Sequence, residues 1–195
     1  MSFYDFSTGS ATTSHTDLKH EMKPYRILSW SRIKNIKAVP VNLLKSKQSE
    51  YREIGRRLFE TCIGEKAVGL AAPQVGIFKR LFIMQQFDEE NTPKFLYTVF
   101  INPSWKPALG SVQNIETEFC LSVPAGQGYP IKRHSSIIAT GDFINNDGKI
   151  AQKETVMSGQ MARIFQHEYS HLNGISIPQL WKSQQQKPKK KRKSK

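Results

Sequence analysis

Apolar residues recur with two periods along this chain, and each period predicts a kind of element. Residues 1–24 show neither: FSTGSATTSHT has no hydrophobic repeat and reads as a disordered leader, with His15 and His20 solvated. Residues 25–40 hold Ile27, Leu28, Trp30, Ile33 and Ile36 as anchors, and predict a short irregular or extended segment rather than a long helix. From Val41 the spacing turns helical. Leu44, Ile54, Leu58 and Phe59 line one face, Lys45, Lys47, Glu50, Arg52 and Arg56 the other, and Gly64 offers a stop. Cys62 falls on the apolar face and reads as a small buried hydrophobe. Residues 77–84 read as a buried strand, 85–94 as a polar turn, and 95–101 as a strand ended by Asn102-Pro103. Trp105 and Leu109 are expected to cover the edge of the core, with extended chain again over 112–118. Residues 131–143 return as a pairing strand with His134 on its surface, and Asn146-Asp147-Gly148 is a hairpin turn before 149–156. A second long helix is predicted from Ser158, with Met161, Ile164, Phe165 and Tyr169 or Leu172 inward and Asn173-Gly174 at its end. Residues 175–178 then read as extended, Leu180-Trp181 as a last apolar anchor, and nothing beyond Ser183 is expected to fold alone.

Composition adds boundaries to this picture. At 195 residues the chain suits one domain, and its 38% hydrophobic content suggests polar ends diluting a normal core. The expected layout is a leader over 1–24, a folded domain over 25–181 and a disordered lysine-rich tail over 182–195. The net charge is +13, and about half of that excess lies in the last nine residues, KPKKKRKSK. Such a run is solvated by default, and it can also contact phosphate backbones without sequence preference, so specific DNA binding is not implied. Two cysteines make a disulfide framework improbable and point to a reducing compartment. No apolar run approaches the roughly 20 residues of a membrane span, and no apolar signal segment opens the chain. A bacterial cytoplasm fits, or an organelle matrix if the leader is a transit peptide.

One stretch changes the picture most. QHEYSH, residues 166–171, contains His-Glu-x-x-His within the second helix. Residues four apart on a helix share a face, so His167 and His171 can reach one metal ion with the Glu168 carboxylate beside them. Catalytic metal sites usually keep three protein ligands. No acidic residue follows Glu168, and the remaining soft donor in a loop placed to form a cleft is Cys120, 47 residues before His167. Cys120 alone also reads as a plain core cysteine, and the small residues of GLAAPQ, 69–74, alone read as tight packing.

Taken together, GLAAPQ, EFCLS (118–122) and QHEYSH resemble the three signature motifs of peptide deformylases, in the family's order and with its approximate spacing. The resemblance covers roughly residues 25–181. It implies an α+β fold, with antiparallel sheets packed around the helix that carries HExxH and a long helix in the N-terminal half. It implies Cys120, His167 and His171 as ligands of a divalent ion, commonly Fe(2+), with zinc, nickel or cobalt also able to occupy the site. Glu168 would move the proton, Gln74 and the backbone N–H of Leu121 would stabilise the oxyanion, and Gly69 and Leu70 would border the cleft. The implied activity is hydrolysis of the formyl group from formyl-methionyl nascent peptides, with the ribosome as the place of work. Three positions depart from the family pattern: Ala67 and Phe119 replace glycines, and Ser170 replaces an aspartate that pairs with an arginine, for which Arg133 is a counterpart. These departures raise two other readings, an inactive deformylase-like module that binds ribosomes or peptide ends, and a metallo-amidase with a changed acyl substrate.

Overall fold

The computed structural model describes residues 23–43, 48–87, 93–144 and 150–186. Most of the expected leader, Leu44, Lys45 and Lys47, the Asn146-Asp147-Gly148 turn and the basic run from Lys187 lie outside the described residues. In chain order the elements are α1 (Trp30–Ile33), α2 (Gln48–Gly64), β1 (Gly69–Ala71), a 3-10 turn (Ala72–Val75), β2 (Leu81–Phe87), β3 (Pro93–Pro107), β4 (Gln113–Glu118), β5 (Tyr129–His134), β6 (Ser136–Ile144), β7 (Ile150–Ser158), α3 (Gly159–Leu172) and α4 (Ile177–Gln185). Five strands form one antiparallel sheet in the order β1-β2-β3-β6-β7, and β4 and β5 form a separate pair.

The larger sheet is covered on both faces, and its sequence shows why. Leu81, Ile83, Val99 and Ile101 join Leu58, Phe59 and Cys62 of α2 in one core. Their neighbours Phe82, Met84 and Phe100 join Ala162, Phe165 and Leu172 of α3 in the other. Successive strand residues face opposite ways, so a doubly covered strand must be apolar throughout, as LFIM is. The α3 side is aromatic: Phe82, Phe100, Phe143 and Phe165 meet with ring centroids 4.8–5.3 Å apart. Each such pair adds about 0.5–1.5 kcal/mol beyond area burial. On its other side α3 meets the β4–β5 pair, where the Gln166 amide bonds both main-chain groups of His134. The α+β expectation, with the HExxH helix between antiparallel sheets, is met.

Several expected boundaries move. Residues 25–40 contain one helical turn, and Val41 and Leu43 precede the helix rather than belonging to it. The strand expected over 77–84 begins only at Leu81, because Lys79 N turns back to Ile77 O, while Phe78 O accepts from Val39 N and Arg80 N donates to Val39 O in a single parallel bridge. β3 does not stop at Asn102-Pro103 but bulges there. Asn102 takes φ +48° and its side-chain amide bonds both N and O of Val41, standing in for a strand partner. Residues 131–143 are two strands, β5 and β6, in different sheets. Trp105 does pack against the core, whereas Leu109 is fully exposed. The extended chain expected at 175–178 is the start of α4, capped by Ser176, whose side chain accepts from Gln179 N. α4 runs through the expected boundary at Trp181 to Gln185, and the Gln184 amide bonds N and O of Lys132 on β5.

Candidate metal centre

Three elements deliver the chemistry to one place. β4 ends at Glu118 and releases Cys120 into a turn closed by Val123 N to Cys120 O. α3 presents His167 and His171 one turn apart. The Cys120 sulfur lies 3.3 Å from His171 Nε2, and the three donors of Cys120, His167 and His171 lie within 4.8 Å of one another. A thiolate and two imidazoles suit a divalent transition metal. In the metal-free chain burial would raise the Cys120 thiol, yet His171 and His167 hold it well below its usual value. Burial would likewise lower His167, but the bonds to Cys120 and Glu118 and the charge of Glu168 push it up to about 10. The lowered Cys120 thiol and the raised His167 imidazole favour each other's charged forms in this cluster, and a metal ion would supply the positive charge instead.

Glu168 points into the same space. It is buried, and its Oε2 has no hydrogen-bond partner. Burial pushes its pKa up, opposed by His167 and His171 and reinforced by Cys120. A buried carboxylate oxygen without a partner is costly unless a water or ligand completes it. Gly69 leaves the room: a Cβ there would fall 2.8 Å from Glu168 Oε1. Gln74 is buried on the 3-10 turn, its Oε1 held by Ala71 N at 2.9 Å. That bond aims Nε2 at Cys120 Sγ (3.7 Å) and Ser122 Oγ (3.3 Å), so an N–H donor faces the centre. Leu121 is half-buried beside it. Leu70 differs from expectation in one respect: its side chain is buried in the α2 core, so only its main chain can meet a cleft.

Glu118 is the residue sequence reasoning missed. Its carboxylate accepts from His167 Nδ1 at 3.1 Å, from Arg133 through both oxygens at 3.0 Å, and from Arg163 at 2.8 Å. Burial alone would raise its pKa, but hydrogen bonds from His167 and Arg133, with their charges, hold it at about 2. An acceptor on Nδ1 fixes which nitrogen of His167 is free for metal. No local signal marks Glu118, because β4 ends there and Cys120 already lies in the turn beyond it. Phe119, one residue past the end of the strand, is turned to solvent. Its ring is 53% exposed and lies over Gly128, so it does not narrow the centre. Ser170 accepts from Arg133 Nη1 at 2.9 Å and donates to Gln166 O at 2.7 Å. The hydrogen bond to Arg133 is therefore kept without an acid at 170, and Glu118 supplies the countercharge.

Three protein donors with a carboxylate beside them are a donor set that could hold a single ion of the catalytic kind. The comparisons with known proteins narrow that class. A family model described as polypeptide deformylase matches residues 30–187. A peptide deformylase of Prochlorococcus marinus (strain NATL1A) is 36% identical over 137 residues, which is 70% of this chain and 63% of that protein, so the match spans under two thirds of its length. The structure of a probable peptide deformylase from synechococcus phage S-SSM7 aligns with a TM-score of 0.66 at 31% identity, covering 80% of this chain and 99% of that one. The Thermotoga maritima peptide deformylase structure aligns with a TM-score of 0.63 at 33% identity, covering 80% of this chain and 97% of that one. This chain belongs to the peptide deformylase family.

Proposed function

We propose that this protein hydrolyses the N-formyl group from the terminal methionine of newly made polypeptides, releasing formate. The observation that carries the reading is the convergence of Cys120, His167 and His171 beside a buried carboxylate with one unpartnered oxygen. These three side chains would hold the ion, Fe(2+) by the family's common usage. When bound, the ion acidifies the attacking water and polarises the formyl carbonyl. Glu168 accepts the proton and returns it to the departing amine, a role suited to a carboxylate whose burial raises its pKa. Gln74 Nε2 and Leu121 N–H donate to the oxyanion. Among the described residues β1 pairs with β2 on one side only, and the main chain of Gly69 and Leu70 can take an extended peptide on the other. The place of work is the ribosome, in a bacterial cytoplasm or an organelle matrix; among the described residues no helix is long and apolar enough to cross a membrane.

The orientation of Phe119 and the retained Ser170–Arg133 bond favour this reading over an inactive module or a changed acyl group. The test is formate release from formyl-Met-Ala-Ser by anaerobically purified protein, with bound metal measured in parallel. Glu168→Ala should keep its metal and lose roughly 10²–10⁴ in turnover. Unimpaired turnover would refute the proton-transfer role. Metal without formate release from the unaltered protein would sink the reading as a whole.

A further inference from the structure

The two loops that carry the oxyanion donors are joined by a segment outside all three motifs. Leu28 N donates to Gln74 O at 2.8 Å, and Trp30 N donates to Ser122 O at 2.8 Å. Residues two apart on extended chain present their N–H groups to the same side, so residues 28–30 span the loops as a rung. Among the described residues, no main-chain hydrogen bond joins 69–76 directly to 119–123. The direct hydrogen bonds between them, among the described residues, are those of Gln74 Nε2 with Cys120 Sγ and Ser122 Oγ. Those contacts use the very donor that the oxyanion must share, so they cannot also fix its position.

The segment is anchored at both ends. Tyr25 N donates to Thr61 Oγ1 on α2 at 2.9 Å, and Arg57 lies 4.0 Å over the Tyr25 ring. At the other end Ile33 is buried, and the Trp30 ring sits 6.2 Å from that of His171. Between them the Leu28 side chain lies against Gly76, within 3.4 Å of where a Cβ would stand. A rod pinned at two points and bonded to both loops sets the distance between them.

We infer that residues 25–30 are a positioning strap: through the main-chain bonds of Leu28 and Trp30 they hold Gln74 and the Cys120–Val123 turn at the separation that oxyanion stabilisation needs. The inference rests on the assignment of Gln74 and Leu121 as donors. It places a determinant of turnover, not of metal binding, in the segment leading into α1.

Position 30 allows the bond to be removed alone. Trp30 is the first residue of α1, where proline is favoured, and Ser29 has φ −64° and ψ 149°, the extended geometry a residue before proline adopts. Trp30→Pro and Trp30→Ala both lose the indole, but only Trp30→Pro loses the N–H. The experiment measures kcat, KM and bound metal for both, in the full-length protein and again in a Gln74→Ala background. The strap predicts that Trp30→Pro turns over roughly tenfold more slowly than Trp30→Ala, with KM and metal content shared. In the Gln74→Ala background the ratio should fall towards one. Equal kcat for the two variants would overturn the strap, as would an equal ratio in both backgrounds or a matching loss of metal. If Trp30→Pro does not fold, Leu28→Pro removes the other rung, and a kcat matching that of Leu28→Ala overturns the inference. Unchanged turnover in Gln74→Ala by itself overturns the donor assignment on which the strap depends, and that result is read from the single variant.

Discussion

Replacing Glu118 by glutamine should damage both the fold and the centre, and the hydrogen-bond geometry says by how much. Each carboxylate oxygen faces two donors: Oε1 meets Arg133 Nε and Arg163 Nη1, and Oε2 meets Arg133 Nη2 and His167 Nδ1. An amide has one oxygen, so in either orientation its NH2 confronts two donors. At least two charge-assisted hydrogen bonds are lost, at about 1.5–3 kcal/mol each. Two such bonds come to roughly 3–6 kcal/mol, and breaking a buried ion pair costs about 3–5 kcal/mol. Linkage gives a similar figure. Its surroundings hold the Glu118 carboxyl at about 2 against an ordinary 4.5, which corresponds to about 3 kcal/mol. Because the pKa is depressed, this stabilisation is full above 4.5 and is lost as the pH falls towards 2. For a chain of this size the melting temperature should drop by about 6–20 °C. Metal affinity should fall roughly 10–100-fold, because His167 loses its fixed orientation. Melting of the metal-free chain across an acid series, and competition for metal against a chelating dye, measure the two effects. An unchanged melting temperature together with unchanged affinity would refute the role given to Glu118.

Other outcomes follow from the same contacts. Ser170→Ala removes one of the bonds to Arg133 but leaves those to Glu118 and Gln166 O, so it should cost only about 1 kcal/mol, with turnover little changed; collapse of activity would show that 170 matters in some other way. Gly128→Ala would put a Cβ 2.6 Å from Thr117 Cγ2 and 2.9 Å from Phe119 Cε1, and should destabilise by roughly 1–3 kcal/mol in a denaturant titration. Phe119→Gly, by contrast, should leave kcat and metal content as they are, since the ring faces away from the donors. Stripping the metal should make Cys120 react with iodoacetamide well before Cys62, whose thiol burial pushes up; mass-spectrometric mapping that finds Cys62 labelled first would contradict the cluster.

Two of the three donors were readable because their spacing is local, and Cys120 came only with the resemblance of the motifs. His167 and His171 need only a helix, and the apolar face of Ile164, Phe165 and Leu172 announces one. The buried strand was visible in the unbroken apolar run LFIM. What escaped depends on contacts far apart in sequence. Nothing around Asn102 says that its amide will clasp Val41, 61 residues away, and so carry β3 through a bulge instead of ending it. The turn at 77–80 exists because Val39 bonds there. α4 was obscured by Pro178, which breaks a helix at its centre but suits its first turn, where it stands here after Ser176. Glu118 and Arg163 were hidden for a different reason: a charged residue in a strand or on a helix reads as solvent-facing until its partner is known.

The bulge at Asn102 bears on the chemical lifetime of the molecule. An asparagine side chain is usually lost with age when the next residue's backbone nitrogen attacks the amide and expels ammonia through a cyclic imide. At this site the next residue is Pro103, whose nitrogen carries no hydrogen and is closed to that attack. Conversion to aspartate would delete the donor that Val41 O requires and release the chain leading to α2. The clasp therefore stands on the asparagine context least prone to deamidation, and preparations of this protein should keep it through storage that erodes other asparagines.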